Sequence, residues 1–372
     1  MKINPLIKNQ IQRLAKIELA KRNFWEYCKV IAPEYYKEDR SHLFILCNTL
    51  DDFYNGRLLK ADGRPYKKLM INLPPQHGKT RTLVNFCEWI FGKNNEERVI
   101  ACSYNDDVAS DFSRYTRDGI SQERGFNDDI IYADIFPGTK IKEGNASYQK
   151  WALKGQFFNY IGSGVGGTIT GKGGTILLID DIIKGAEEAL NDGHLDKLWT
   201  WYTSTFLSRV SAEYGEPLEI LNMTRWSKKD LCGRILDSED GKNWYVLKME
   251  AYNKETDSML CSDFLSKQRY MQLRSQMVDM IFEANYHQKP IDMTGTLYKS
   301  LKTYEKPPQN ENGHSLFKRI LNYTDTADTG KDWLCSIVFG EYNGEAYILD
   351  VYYSQEGMEI TEPATAKFLH DN

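Results

Sequence analysis

The sequence predicts an α/β fold built on a mostly parallel sheet, and two stretches carry that prediction. The first, residues 69–80 (LMINLPPQHGKT), begins with a short apolar run that is typical of a buried strand, which Pro74 and Pro75 end. The second, residues 175–184 (TILLIDDIIK), has five apolar or β-branched residues followed by two aspartates. Such a run indicates a central parallel strand that is buried on both faces.

The residues after the first strand have the layout of a phosphate-binding loop. Gly78, Lys79 and Thr80 follow the tight loop, and a helical pattern then runs over residues 80–93. Backbone N–H groups at such a helix N-terminus face phosphates. The lysine of this pattern reaches the β- and γ-phosphates, and the threonine hydroxyl holds Mg²⁺. Position 73 has Leu73 where the strict pattern has glycine, and a bare Gly-Lys-Thr also fits an ordinary turn before a helix.

An acidic element follows at a suitable distance. Asp180 and Asp181 come at the C-terminal end of the second strand, where ligands bind in open α/β sheets. One carboxylate there holds Mg²⁺, and its neighbour polarises the water that attacks the γ-phosphate. Glu187 and Glu188, in a helical stretch over residues 185–205, are the alternative water-activating groups. An aspartate pair can also simply end a strand, but the upstream loop favours a nucleotide site.

The composition predicts a sizeable apolar core and an intracellular, reducing compartment. The 372 residues are 41% hydrophobic, with no apolar run as long as a membrane span and no signal-peptide core. The seven cysteines include no Cys-x-x-Cys pair, which argues against a zinc site and against a disulfide framework. The net charge of −5 means that any DNA contact must come from local basic patches.

Three segments are predicted: N-terminal helices in residues 1–60, a nucleotide-binding domain with a helical linker in residues 61–300, and the start of a further domain in residues 301–372. The first helix is amphipathic and basic, which fits a solvated face or a contact with DNA or a partner subunit. Its apolar positions are Ile7, Ile11, Leu14, Ile17 and Leu19.

A second amphipathic helix over residues 41–60 ends near Asn55-Gly56. In many such ATPases the adenine packs on the segment before the phosphate-loop strand, which makes His42 and Phe44 weak candidates. A buried helix position is the favoured role for Phe44.

Further β-α units are predicted beyond the phosphate loop. Residues 98–104 indicate a strand, and the following helix, from about Asp106 to Ile120, carries Arg114 and Arg117 on one face. These arginines fit an ordinary charged surface or a finger supplied to a neighbouring subunit's nucleotide. Within residues 155–174, the stretch GSGVGGTITGKGG (residues 162–174) has seven glycines, which argues against a helix or strand interior. It predicts a mobile loop, a plain hairpin or a surface that approaches a DNA backbone closely.

Residues 217–226 predict a strand that ends in Thr224-Arg225, polar groups able to sense the γ-phosphate. Residues 303–318 predict a linker or exposed hairpin. Residues 319–333 predict a strand, and residues 334–354 a hairpin with an Asn-Gly turn. Carboxylates at strand ends can bind two divalent ions and cut phosphodiesters. The best single candidate is Asp325, whereas three others fit the common use of aspartate in turns: Asp328, Asp332 and Asp350.

Together these motifs resemble the large terminase subunit of tailed bacteriophages over nearly the whole chain. LPPQHGKT is similar to the family's PPRHGKS-type Walker A segment. GVGGTITGKGGTILLIDDIIKGAEEA is similar to its glycine loop and Walker B strand, and TRWSKKDLCGRIL to its coupling segment. ELAKRNFWEYCKVIAPEYY and DFSRYTRDGI match in the same order. Two departures are Gln76, where many relatives have arginine, and Ser227, which replaces a histidine.

The resemblance implies a RecA-like P-loop ATPase followed by an RNase H-like nuclease, which package double-stranded DNA into procapsids and cut the concatemer. A helicase-like or DNA-repair ATPase of the same sheet class is the alternative. The implied cofactors are ATP with Mg²⁺ and a divalent metal such as Mg²⁺ or Mn²⁺ in the nuclease. The implied partners are DNA, the portal protein and the small terminase subunit, with a homo-oligomeric ring at the portal vertex in the host cytoplasm and no membrane.

The family's functional residues carry over by position. Those implied to bind the nucleotide are Gln76, His77, Gly78, Lys79, Thr80, Arg81 and Thr224. Those implied to hold metal are Thr80, Asp180 and, in the nuclease, Asp325. Those implied to act in catalysis or coupling are Asp181 or Glu188, Arg117, Arg225 and Asp325.

An RNase H-like fold needs more strands and carboxylates than the residues after position 301 supply. We therefore expect that the chain of these 372 residues does not cleave DNA. Metal-dependent nicking of a supercoiled plasmid, followed on agarose gels with Mg²⁺ or Mn²⁺, would contradict this expectation.

Overall fold

A seven-stranded sheet lies at the centre of Met1–Met293, the first of the two units into which the chain divides; the second is Thr294–Asn372. The computed structural model describes the following residues: 4–125, 129–144, 147–167, 169, 173–209, 215–291, 302–326 and 333–371. The sheet has the order β3-β4-β2-β5-β6-β1-β7. Its strands are β1 (Lys68–Asn72), β2 (Val99–Ser103), β3 (Lys150–Trp151), β4 (Tyr160–Gly164), β5 (Ile176–Asp180), β6 (Leu218–Asn222) and β7 (Trp244–Lys248).

The predicted α/β class and the central position of the acidic strand are both confirmed. All neighbouring strands run parallel except β3, which is antiparallel to β4. Strand β5 is buried along its whole length and pairs with β2 on one side and β6 on the other. Its continuous apolar run is what a strand covered on both faces requires.

Helices cover both faces of this sheet. Further helices come before the first strand and after the last strand of the unit. They are α1 (Pro5–Arg22), α2 (Phe24–Ile31), α3 (Ser41–Tyr54), α4 (Lys79–Lys93), α5 (Asp106–Ile120), α6 (Tyr132–Ile135), α7 (Ala186–Ala189), α8 (Asp192–Trp201), α9 (Leu231–Asp237), α10 (Lys267–Gln276) and α11 (Asp279–His287). A small hairpin, β8 (Tyr252–Asn253) with β9 (Ser258–Met259), precedes α10. In the described part of the chain, no helix is long and apolar enough to cross a membrane.

The prediction of a loop or hairpin at the glycine-rich stretch is wrong for its first residues, because they form the buried strand β4. Helix α5 lies so close to β4 that side chains would not fit between them. A Cβ added at Gly162 would lie 2.6 Å from the carbonyl oxygen of Ala109, and one at Gly164 would lie 2.6 Å from the backbone of Asn105. Glycine here permits close packing of helix on strand.

The N-terminal helices differ in how they pack. Helix α1 has a single buried residue, Ala20, and its predicted apolar positions are largely exposed, for example Leu14 at 65%. Helix α3 ends before Asn55-Gly56, as predicted. The favoured burial of Phe44 is wrong, because its ring is 47% exposed and rests edge-on against Trp25. The predicted helix over residues 185–205 is interrupted, since Asn191 begins a new helix by capping α8.

A buried glutamate ties α2 to the helix that follows the phosphate loop. The hydroxyl of Tyr27 donates to Glu88 on α4 over 2.6 Å, and the hydroxyl of Tyr132 donates to the Glu88 carbonyl over 3.0 Å. Burial raises the pKa of Glu88 to about 8, although Tyr27 and Arg81 act in the opposite direction. The proton is therefore bound more tightly in the folded chain than in the unfolded chain.

The second unit contains an antiparallel sheet of order β10-β11-β12, formed by β10 (Arg319–Asp325), β11 (Leu334–Tyr342) and β12 (Glu345–Ser354), and the helix α12 (Met358–Asp371). The predicted Asn-Gly hairpin is confirmed. Asn343 and Gly344 have φ of 51° and 76°, the left-handed values that a two-residue hairpin turn needs. An isolated antiparallel bridge joins Gln309 to Ser315, which agrees with a hairpin in the predicted linker.

Replacing Gly162 with alanine tests the close packing of α5 on β4. We expect Gly162→Ala to lower the free energy of unfolding by about 2 kcal/mol, since helix and strand must separate. Gly138→Ala is the matched control, because a Cβ there meets nothing within 4 Å. Chemical denaturation measures both variants, and equal stability of the two would contradict the packing account.

Glu88→Gln tests the buried carboxyl. Since the pKa of Glu88 is raised from 4.5 to about 8 in the folded chain, its contribution to stability is complete below pH 4.5 and is lost as the pH rises to about 8. The amide has no such loss, so the variant should gain roughly 3 kcal/mol relative to the wild type between pH 5 and pH 8.5. Urea unfolding across this range measures the difference, with exposed Glu96→Gln as control. A gap that does not widen with pH would refute the assignment.

Candidate functional site

A cavity of about 460 Å³ opens at the C-terminal edge of the sheet, beside β1, β5 and β6. This is the edge at which parallel α/β sheets place their ligands. The described residues that line it are Tyr35, Pro75, Gln76, Gly78, Lys79, Thr80, Arg81, Tyr104, Asp181, Ile183, Lys184, Thr224 and Trp226. Seven of the predicted site residues are in this set: Gln76, Gly78, Lys79, Thr80, Arg81, Asp181 and Thr224.

The loop between β1 and α4 has the backbone of a phosphate cradle. Gln76 and Gly78 both have left-handed φ, at 61° and 83°, and Gly78 immediately precedes the first residue of α4. A Cβ at Gly78 would lie 2.6 Å from the hydroxyl of Tyr35, so both its φ and the space around it require glycine. The free N–H groups of the first turn of α4 are consequently directed at the cavity.

The ammonium of Lys79 closes the loop onto the neighbouring strand. It is 5% exposed and donates to the carbonyls of Leu73 and Pro74, over 2.9 and 3.3 Å, and to the hydroxyl of Thr224, over 2.6 Å. Burial lowers the pKa of Lys79, while Asp181 and Asp180 act to raise it. The lysine thus bridges the phosphate loop and the segment that follows β6, and it sits where an anion in the cavity can attract it.

Thr80 and Asp180 place two side-chain oxygen groups, a hydroxyl and a carboxylate, beside Lys79. The Thr80 hydroxyl donates to one Asp180 carboxylate oxygen over 2.9 Å, and the Asn222 amide donates to the other. Burial, with Asp181 nearby, raises the pKa of Asp180. A cation would relieve that cost, because it stabilises the charged carboxylate.

These donors fit Mg²⁺. It prefers oxygen ligands, takes only one or two carboxylates from the protein, and completes its octahedron with water and phosphate. Thr80 and Asp180 supply this set, and no group of three or more His, Cys, Asp and Glu side chains stands ready for a metal among the described residues. Such an ion would neutralise phosphate charge when bound.

Asp181 and Glu188, the two candidates for positioning water, differ in placement. Asp181 lines the cavity, has a left-handed φ of 41°, and accepts the backbone N–H of Thr224 over 3.0 Å. Glu188 is not among the described lining residues. Its carboxylate accepts the N–H of Lys184 over 2.8 Å at the start of α7 and lies 3.6 Å from His194.

Three of the predicted arginines, Arg225, Arg117 and Arg114, are not among the described residues that line the cavity. Arg225 is buried, and its guanidinium donates to both oxygens of Asp230, over 3.1 and 3.0 Å. On α5, the Arg117 guanidinium lies over the ring of Tyr148, with its carbon 4.7 Å from the ring centre, and donates to Asp118. Arg114 pairs with Asp111 over 2.8 Å.

Two residues predicted to contact the nucleotide, His77 and His42, pack against each other outside the cavity lining. His77 is 1% exposed, is not among the described lining residues, and bonds through Nδ1 to the Pro75 carbonyl over 2.8 Å. His42, a weak adenine candidate, is fully buried against it, with 5.7 Å between ring centres. Phe44 also lies outside the cavity lining. Arg81 does reach the cavity, where its guanidinium carbon lies 4.1 Å from the ring centre of Tyr35.

Sequence reasoning missed several lining residues, among them Tyr35, Lys184 and Trp226. Trp226 follows β6, so the rule that polar and aromatic residues past strand ends meet at one edge could have found it. Tyr35 lies between α2 and α3, far from the loop in sequence, and no local pattern points to it.

The proposed nuclease carboxylates are not brought together in the described part of the second unit. Asp325 ends β10 opposite Cys335, whereas Asp350 on β12 lies opposite Val338, farther along β11. Asp328 and Asp332 lie outside the described residues.

Comparisons with known proteins return solved structures alone, since no protein-family model and no curated protein matches the sequence. The large terminase of a thermophilic bacteriophage, solved in complex with ATP-γ-S, aligns at 15% identity and a TM-score of 0.38, covering 82% of this chain and 69% of that one. The ADP complex of the same terminase gives 14% identity with the same coverage and TM-score. The ATPase domain of a Thermus phage large terminase aligns at 11% identity and a TM-score of 0.40, covering 61% of this chain and 89% of that one. The structural matches over most of this chain are thus to large terminase subunits of thermophilic phages, at low sequence identity.

Proposed function

We propose that the Met1–Met293 unit binds and hydrolyses ATP, and that hydrolysis drives the packaging of double-stranded viral DNA into procapsids. One observation carries the ATPase proposal. The lysine and threonine at the start of α4, Asp181 after β5 and Thr224 after β6 line a single cavity, and Asp180, the last residue of β5, accepts the Thr80 hydroxyl beside it. The packaging role rests on the motifs that resemble large terminase subunits in order and spacing.

Nucleotide binding would begin at the N-terminus of α4, where backbone N–H groups receive the phosphates. Lys79 would exchange its neutral acceptors, the carbonyls of Leu73 and Pro74, for charged phosphate oxygens, which form stronger hydrogen bonds. Thr224 would then lose the bond that it accepts from the lysine, and its hydroxyl could rotate to donate its proton to the γ-phosphate. The segment after β6 would in this way register whether the γ-phosphate is present.

Asp181 is the better candidate for orienting the attacking water, since it lines the cavity, whereas the Glu188 carboxylate accepts the Lys184 N–H and is not among the described lining residues. Its carboxylate already has one fixed partner, the N–H of Thr224, so orientation of water and sensing of the γ-phosphate would share a residue pair. Thr80 and Asp180 would hold Mg²⁺, as their oxygen donors fit. Arg225 would act indirectly, through its buried pair with Asp230 in the coupling segment.

The remaining family assignments are also proposals. Arg117 would complete a neighbouring subunit's site only after leaving the ring of Tyr148. Asp325 would contribute a Mg²⁺ or Mn²⁺ ligand to an RNase H-like nuclease, which its position at the end of β10 supports. The portal protein, the small terminase subunit and a ring of copies would be partners of the packaging motor.

Lys79→Ala is the direct test of the nucleotide site. We expect ATP hydrolysis, measured as phosphate release with Mg²⁺, to fall at least about 100-fold, because phosphate charge loses its main counter-ion. Lys93→Ala, at the other end of α4, is the matched control and should keep wild-type activity. Stimulation of the wild type by double-stranded DNA favours the packaging motor.

Equal hydrolysis by Lys79→Ala and the wild type would refute the ATPase site. A helicase-like enzyme is distinguished by displacement of a labelled strand from a DNA duplex, which a packaging motor does not perform.

A further inference from the structure

A cluster of aromatic rings packs against the phosphate loop. At its centre is Phe264, which follows the β8–β9 hairpin and precedes α10. Its ring centre lies 5.3 Å from that of Tyr35 in a stacked arrangement, and 5.4 and 6.0 Å from those of His42 and His77 in edge-to-face arrangements. Such pairs each contribute about 0.5–1.5 kcal/mol beyond area burial.

The ring of Phe264 also contacts an arginine. The guanidinium carbon of Arg40 lies 4.6 Å from the ring centre of Phe264. Arg40 also donates to the Tyr35 carbonyl over 2.7 Å and to the carboxylate of Asp263 over 2.9 Å. Asp263 and Phe264 are consecutive, so the short segment is fixed at two points, by an ion pair and by a cation–π contact.

Two of the rings in this cluster shape the nucleotide cavity. His77 belongs to the phosphate loop and is bonded to the Pro75 carbonyl, between the left-handed Gln76 and Gly78. Tyr35 lines the cavity and its hydroxyl blocks a Cβ at Gly78. Contacts of Phe264 with both rings therefore act on the loop from outside the cavity, since Phe264 is not among the described lining residues.

The imidazoles serve as neutral rings. Burial, His77 and Arg40 lower the pKa of His42 to about 4, and burial also lowers the pKa of His77. The charged groups that face this pair are Arg40 and Lys79, and Asp263 is bonded to Arg40. His77 lies on a tight loop, and its ring stays buried because neighbouring rings, Phe264 among them, cover it.

We infer that Phe264 is a positioning residue for the phosphate loop. The segment between β9 and α10 stabilises the loop in the conformation that binds phosphate. The inference deepens the proposed ATP site and, for nucleotide affinity, rests on it. A movement of the segment before α10 would therefore change the ring contacts of both His77 and Tyr35. Nothing in the loop's own sequence carries this dependence, because Phe264 is far from residues 74–80 along the chain.

Phe264→Leu tests this role, with Phe282→Leu as the matched control. Phe282 is fully buried in the separate cluster between α10 and α11, where its ring meets Tyr270 and Tyr286. Amide hydrogen exchange of residues 76–80 in the nucleotide-free protein, and the Kd for ADP by titration calorimetry, are measured for both. We expect faster loop exchange and a roughly tenfold weaker Kd for Phe264→Leu, and neither change for Phe282→Leu.

Phe264→Tyr, which keeps the ring, should restore wild-type loop exchange and affinity. Wild-type loop exchange in Phe264→Leu, or equal effects of the two leucine variants, would overturn the inference. Should Phe264→Leu not fold, Asp263→Asn removes the partner of Arg40 at a half-exposed position, and faster loop exchange is again expected. If the wild type binds no ADP, the proposed ATP site fails, while loop exchange still decides the positioning role.

Discussion

The site depends on the hydrogen bonds that the buried ammonium of Lys79 donates. A charge taken out of water is costly unless hydrogen-bonding partners surround it. Here two carbonyls of the turn after β1 and the hydroxyl of Thr224 supply them. The turn must therefore double back on α4, and the segment after β6 must approach it. One satisfied cation fixes the relative positions of three chain segments that are distant in sequence.

Parallel strand order makes that approach possible. Because β5, β6 and β1 are neighbours and all parallel, their carboxyl ends meet at one edge. The register sets Asp180 opposite Asn222, and the two side chains are hydrogen-bonded. A shift of one residue would turn each of these side chains to the opposite face of the sheet. The placement of the acidic strand end thus depends on its neighbours as much as on its own sequence.

Local sequence patterns predicted those parts of the fold that local physics decides. Apolar runs predicted β1, β2 and β5. The Asn-Gly pair predicted the hairpin turn of the second unit, and Gly-Lys-Thr located the start of α4. The strand β4 could not be predicted, because Gly162 is explained only by the backbone of α5 across from it. Tyr35 and the burial of His77 escaped for the same reason, as each depends on a partner from a remote segment.

Leu73, the departure from the strict motif, lies at a position with no need for glycine. Glycine is favoured where φ is left-handed or where a side chain would collide; the left-handed positions of this loop are 76 and 78, and of these only Gly78 is glycine. Leu73 is fully buried and uses its backbone carbonyl to accept the bond from Lys79. Any residue can offer a carbonyl, so leucine also extends the apolar run of β1. The left-handed Gln76 bears the conformational strain instead, at the rim of the cavity where its side chain has room.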